Sequence, residues 1–522
     1  MTDRNYQLEP AAEGNKPQTQ MAEQDATAAH EEYERRPVPE KALLGFKSFL
    51  GMYAGEHTAG TELMIGPLFV AAGVSAFDFI VGLLVGNALA VLSWMLVCAP
   101  IAARVRLTLY CQLEQICGRK LVTVYNLANG VMFTILAGAM ITVSATALGV
   151  WFKFQMPGLN DTAPTSVGWV LAVAVVGVLF TVCAAYGFRM MSRFANIAAP
   201  WMVLVFLTFG LITFRRFIDT SQTEIHSLSD LWTLCRTAIW KGGEPLAGRV
   251  KFTFWHVMFF AWFCNMAWHI GLSDLSVLRY ARKSWYALAS AAGMYIGHFM
   301  AWICASLLFA YQLHVNPANT DVHPGPMTYE TAGLAGLFCV IIAGWTTASP
   351  TMYRAGLAFQ AIMPKRSRFA VTWGIGLCSL MAAAVYPVVT MRLLDFVAIW
   401  GLILMPMGAV IFVDFWLIRK FGMQSNYAMH SGRSVNWAAG LAWLITLTVC
   451  TLLVNTGTII DALAARDIIP MTSGIQWIRD HLTIEIFFVS LPGWFMTAAL
   501  YLMFSRACQK TVRSRAGEAL ER

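Results

Sequence analysis

Gly51-Met52-Tyr53-Ala54-Gly55-Glu56-His57-Thr58-Ala59-Gly60-Thr61-Glu62-Leu63-Met64-Ile65-Gly66-Pro67 decides how the rest of the chain is read. The stretch lies in an apolar run, yet it makes a poor continuous helix. Glycine costs about 1 kcal/mol and proline about 3 kcal/mol in a helix interior. The same stretch carries Glu56, His57 and Glu62. A charge at membrane depth costs about 2.5–3.5 kcal/mol on insertion scales, so it must face a cavity or a partner. An interrupted helix lining a polar chamber is expected here. The bland alternative for Glu62 is a neutral, hydrogen-bonded packing residue.

The composition makes membrane depth the right frame. Of 522 residues, 57% are hydrophobic and 13% charged, against roughly 45–50% apolar and about 25% charged in soluble domains. The net charge of +8 is scattered through short loops and no basic–aromatic run gathers it, which argues against nucleic acid as a partner. The 11 cysteines are dispersed, and Cys111 and Cys117 have neither a CxxC nor a zinc spacing, so all are read as reduced packing residues. The first forty-odd residues are polar without a short apolar core, which excludes a signal peptide and suggests a disordered tail.

A helix needs about twenty apolar residues to cross the hydrocarbon. Candidate spans fall at 47–75, 78–103, 120–150, 166–187, 194–214, 251–273, 284–311, 330–359, 369–387, 393–418, 437–458 and 483–505. The basic residues test this division. Arg35, Arg36, Lys41, Lys47, Arg104, Arg106, Arg119, Lys120, Arg189, Arg193, Arg279, Arg282, Lys283, Arg354, Lys365, Arg366, Arg368, Arg419, Lys420 and Arg433 all fall in segments of one side. By the positive-inside rule both termini are expected to be cytoplasmic. The chain is then a multi-pass protein of a cell (inner) membrane.

Two further spans carry polar groups. Span six contains Trp262, Asn265, Trp268 and His269 and runs into Gly271-Leu272-Ser273-Asp274. If the first ten helices form two five-helix halves, spans one and six occupy matching places, and interrupted helices at matching places point to a transport site. Span eight holds Ala343-Gly344-Trp345-Thr346-Thr347-Ala348-Ser349-Pro350. The two threonine hydroxyls could join span-one carbonyls around a hard cation such as sodium, or could bond back to their own helix.

The stretch Trp345-Thr346-Thr347 with Tyr353 and Ala355-Gly356-Leu357-Ala358-Phe359 resembles the eighth helix of the nucleobase–cation symporters, the cytosine permease and purine–cytosine permease family. Val413-Asp414-Phe415-Trp416-Leu417-Ile418-Arg419-Lys420 is similar to that family's end of span ten, and Ser434-Val435-Asn436-Trp437 to its start of span eleven. Gly73-Val74-Ser75, Asp78, Gly86-Asn87 and Ser276-Val277-Leu278-Arg279-Tyr280-Ala281-Arg282 add weaker matches. The resemblance runs over about residues 45–440. It implies an all-α membrane protein with about twelve transmembrane helices, a leucine-transporter-type 5+5 inverted repeat plus two C-terminal helices, and alternating access.

By position, the resemblance carries a sodium site onto the carbonyls of Glu56, Ala59 and Ala343 and the hydroxyls of Thr346 and Thr347. Substrate positions fall on Thr61, Glu62, Phe133, Leu136, Ala267, Trp268 and Ser349. Leu136 and Ala267 replace the aromatics that stack a flat base in the family, and Ser349 stands where an asparagine is usual. Glu62 adds a carboxylate that could bind an amine-bearing solute or carry a proton, with His57 as a relay.

The expected organisation is a tail at 1–44, a transport core at 45–420, two accessory helices within 421–505 and a tail at 506–522. The core divides into 45–214, an external amphipathic connector at 215–250 and 251–420. The expected function is a secondary active symporter for a small nitrogen-containing solute, nucleobase-like or a related heterocycle, coupled to sodium or protons. The alternative is a carrier of a cationic or amine-bearing solute with proton coupling through Glu62. No cofactor beyond the transported ion is implied. A membrane-embedded enzyme would need a constellation such as HExxH, and the 10 histidines show no pair four residues apart. A non-transporting sensor would need a signalling domain that the short tails do not supply.

Overall fold

A computed structural model of the chain describes residues 33, 35–157, 161–247, 249–263, 271–320, 322–385 and 393–520. Among the described residues the regular elements are helices, with two isolated bridges pairing Leu44 with Ala281 and Ser75 with Lys241. The first half runs through α1 (Phe46–His57), α2 (Glu62–Ala71), α3 (Ala76–Val105), α4 (Leu109–Cys117), α5 (Arg119–Phe152), α6 (Val167–Ala185) and α7 (Phe188–Ser221). After the connector helix α8 (Leu228–Leu234) come α9 (Phe254–Phe263), α10 (Leu275–Leu278), α11 (Ser284–Val315), α12 (Pro324–Ile362), α13 (Arg368–Val385) and α14 (Leu393–Trp416). The chain ends with α15 (Tyr427–Ser431), α16 (Trp437–Ala464), α17 (Ser473–Leu482) and α18 (Ile486–Leu520).

Ten of these segments are long and apolar enough to cross a membrane. The first span is divided between α1 and α2, as the glycines and proline lead one to expect. The matching interruption expected in span six falls on 264–270, outside the described residues. A lipid-facing stripe is visible on α6, where Val167, Leu171, Val175 and Leu179 are exposed while Val173, Val176 and Phe180 are buried. Backbone polar groups satisfied within each helix are what allow such a surface to face hydrocarbon.

Helix contacts repeat between the halves. α2 packs on α11 as α9 packs on α3, while α5 meets α12 and α6 meets α13. These are the pairings of a leucine-transporter-type inverted repeat, in which α1–α2, α3, α5, α6 and α7 correspond to α9–α10, α11, α12, α13 and α14. The accessory helices α16 and α18 pack on each other and on α14. One device shapes α12: Gly333 has φ +57°, and this kink separates its first turns from the long membrane segment. A residue with a Cβ is disfavoured at such a φ.

Several expectations need correction. The last part of the segment read as a tail, 1–44, is docked. Val38 is buried and its N–H donates to the Arg106 carbonyl at 3.0 Å, and Arg35 pairs with Glu114 at 2.9 Å. Arg279, Arg354 and Arg368, counted as loop charges, are buried. All three keep carbonyl, hydroxyl or carboxylate partners that a hydropathy count cannot see. α7 runs to Ser221, so the connector starts later than 215. That connector is anchored by Trp240, which is buried and donates to the Ser306 hydroxyl on α11 at 3.0 Å. Its helix α8 opens with a capping box in which the Ser227 hydroxyl, then the backbone N–H of His226, hold the exposed Asp230 carboxyl below the usual carboxylate range. The amphipathic helix α17 lies between the accessory spans and was not expected.

Candidate functional site

The break lies between His57 and Glu62. Thr58 leaves helical geometry, and its hydroxyl caps back onto the Ala54 carbonyl at 2.7 Å. The chain re-enters a helix at Glu62, whose backbone N–H donates to the Ala59 carbonyl at 3.1 Å. Two buried polar clusters flank this turn.

On the α1 side, the Glu56 carbonyl accepts from the Thr347 hydroxyl of α12 at 3.1 Å. That hydroxyl lies equally close to the Ala343 carbonyl, and Thr346 reaches the same carbonyl at 3.1 Å. Four of the five groups assigned to a cation site, Glu56, Ala343, Thr346 and Thr347, thus converge, with neutral oxygen donors of the kind hard cations prefer. Ala59 is buried nearby in sequence, but its carbonyl serves the α2 turn instead. Both threonines bond back to their own helix; Thr347 also reaches α1, and Thr346 also donates to the Met202 sulfur of α7 at 3.8 Å.

Directly below, the Glu56 side chain receives Arg354 at 2.5 Å and 3.3 Å, and Arg354 also holds Asp274 at 2.8 Å. The Tyr53 hydroxyl donates to the other Asp274 oxygen at 3.2 Å. All four side chains are buried. Sequence reasoning missed this network. Asp274 precedes α10 without any side-chain cap bond, so its carboxylate is free to serve Arg354 and Tyr53.

On the α2 side, Glu62 accepts from the Trp302 indole N–H, and from the Thr61 hydroxyl at 3.3 Å. The Nε2 of His298 stands 3.5 Å from its other face. The His298 ring stacks on Trp302 with centroids 4.3 Å apart and meets His57 edge-on at 4.6 Å. His298 sits in a π-helical stretch of α11, Ala292–Phe299. There Gly297 lets α1 approach so closely that a Cβ would fall 2.7 Å from the His57 carbonyl. His57 Nδ1 lies 2.8 Å from the Tyr53 carbonyl. His298 and Trp302 were also missed, although a histidine inside span seven is the same signal that singled out Glu62.

The remaining assigned positions are more scattered. Phe133 is buried against Trp400 of α14, centroids 4.6 Å apart, and Leu136 is buried one turn on. Ser349 turns to α6 and donates to the Phe180 carbonyl at 3.1 Å, so the structure does not bring it to the break. Ala267 and Trp268 lie outside the described residues.

No protein-family model matches the sequence, and no curated protein matches it. Solved structures do. Mhp1, a nucleobase-cation-symport-1 family transporter, in a closed conformation with bromovinylhydantoin bound, superposes with a TM-score of 0.65 at 14% identity, covering 92% of this chain and 96% of that one. A Na+-coupled sialic acid symporter in a substrate-bound outward-open state gives 0.60 at 15% identity, with coverages of 88% and 89%. An Eremococcus coleocola manganese transporter gives 0.51 at 15% identity, with coverages of 90% and 98%. At these identities the similarity is one of fold, and in fold this chain is like Mhp1, the nucleobase-cation-symport-1 transporter.

Proposed function

We propose that the chain is a secondary active symporter that moves a small nitrogen-containing solute across a membrane together with a cation, by alternating access. The observation that supports this most is the meeting of the first-span break with α12. A backbone carbonyl at the end of α1 faces a threonine hydroxyl of α12 at 3.1 Å. Unpaired backbone in hydrocarbon costs several kcal/mol per group and is tolerated where it lines a polar site. A cation entering between Glu56, Ala343, Thr346 and Thr347 would tie α1 to α12, and its departure would free them to separate. Two of the structures sharing the fold, Mhp1 and the sialic acid carrier, are cation symporters by their descriptions, which supports the same class here. One cation moving down 100 mV releases about 2.3 kcal/mol, equivalent to roughly a fiftyfold solute ratio. Both termini are assigned to the cytoplasm on the distribution of basic residues.

A thermal-shift screen of nucleobases, related heterocycles and small amines, each with and without sodium, tests this reading. A ligand at about a hundred times its dissociation constant stabilises by about 2.7 kcal/mol. Hits are then followed by tracer counterflow in preloaded proteoliposomes. Exchange of a hit across the membrane is expected, whereas a channel would show none. Absence of counterflow for every stabilising ligand would end the carrier reading.

A further inference from the structure

We propose that Glu62, His298 and His57 form a proton-binding relay, so that a proton travels with the solute. The inference rests on the symporter reading and adds the identity of a coupling ion and the atoms that hold it.

Glu62 is buried at the start of α2. Among the described residues its side-chain partners are the Trp302 indole, the Thr61 hydroxyl and the His298 imidazole. None carries a permanent positive charge. A carboxylate buried with only neutral donors is costly, while a proton held on it, or shared with an imidazole, removes the charge. His298 is placed to share it: its Nε2 is 3.5 Å from Glu62, and its ring is held flat against Trp302.

His57 continues the path. A carbonyl oxygen only accepts, so the 2.8 Å contact with Tyr53 assigns the hydrogen to Nδ1 and leaves Nε2 as the atom that takes up or releases a proton. Around His57 stand Trp94 from α3, His298 from α11, Asp274 before α10, and Tyr53 and Arg354, with Glu56 its chain neighbour. Glu56 and Asp274 share the single guanidinium of Arg354. When all three are ionised, that cluster carries one negative charge in excess, which acts on any proton passing His57.

The transfer balances without a co-reactant. The O–H bond of the Glu62 carboxyl breaks as an N–H bond forms on His298 Nε2, leaving a carboxylate beside an imidazolium. His298 then gives a proton to His57 and returns to neutral. The proton leaves His57 for water once α1 separates from α11, and Glu62 is reloaded from the opposite side.

The test needs no solute, because the proton is the probe. Purified protein in proteoliposomes on a solid-supported membrane is stepped from about pH 8 to about pH 6, across the histidine range, and the displaced charge is recorded. A transient is expected for the wild type, reduced about tenfold or more in Glu62→Gln and in His298→Gln, and roughly halved in His57→Gln. His256→Gln serves as control, since His256 pairs with Glu485 at 2.8 Å, away from the relay, and should leave the transient intact. Variants are first confirmed monodisperse with a cooperative melt. Should His298→Gln fail to assemble, tryptophan fluorescence reads the same event: wild-type emission should fall on acidification, and Trp302→Phe should lose that change. An undiminished transient in Glu62→Gln, or no transient in folded wild type, overturns the relay even if solute counterflow succeeds. Failed counterflow with an intact, Glu62-dependent transient would instead remove the symporter reading and keep the proton site.

Discussion

Glu56 and Glu62 stand on the two sides of one helix break, are both buried, and are held in different ways. Glu56 is locked: its carboxylate meets the guanidinium of Arg354, which also clamps Asp274. Glu62 is cushioned by an indole, a hydroxyl and an imidazole. The first arrangement demands a fixed charge, because removing the guanidinium leaves two uncompensated carboxylates in a dry place. The second tolerates either protonation state within reach of His298. The difference teaches that intramembrane carboxylates six positions apart can be held by opposite means, one by a guanidinium that ties helices together and the other by an indole, a hydroxyl and an imidazole.

The largest effect should come from breaking the lock. Arg354→Gln leaves Glu56 and Asp274 facing each other, and should lower stability by roughly 3–5 kcal/mol, read as a fall in melting temperature in detergent. Glu62→Gln keeps an acceptor for the Trp302 indole and should stay within about 1 kcal/mol of wild type in the same assay. Its loss should appear in the pH dependence of transport. If the two variants melted alike, the contrast between lock and cushion would be gone.

Thr347→Ala sharpens the comparison from above Glu56. It removes the hydroxyl that joins α1 to α12, costing about 1 kcal/mol of stability. In uptake assays the half-saturating sodium concentration should rise about tenfold, equivalent to about 1.4 kcal/mol. Unaltered sodium dependence would move the cation site elsewhere.

The smallest effect lies outside the membrane, where charge is cheap. The Ser227 hydroxyl and neighbouring backbone N–H groups depress the Asp230 pKa in the folded chain. Such a group stabilises above its unfolded pKa, and the contribution is lost as pH falls through the lower folded value. Hydrogen exchange over α8 should therefore rise on acidification below the ordinary aspartate range. Ser227→Ala should shift that onset to higher pH.

Much of this was legible beforehand. The glycines and Pro67 announced the break, and the paired threonines of α12 were found from their local pattern. The docked stretch at 35–44 was not, because a polar composition looks the same whether it is solvated or hydrogen-bonded to a protein face. Arg354 was misread for a related reason: it follows Thr347 on the same long helix and resembles any arginine at a span's end. Its partners Glu56 and Asp274 lie 298 and 80 residues away along the chain.

From the order of its residues alone, this protein was committed to crossing lipid many times and to breaking its first span, since hydrophobicity and helix propensity act over a few turns. Which buried acid is paired for good and which meets a histidine was decided by the packing of α1 and α2 against α10, α11 and α12. Electrostatics in a dry interior depends on distances of a few ångströms between segments far apart in sequence, and only the folded chain sets those.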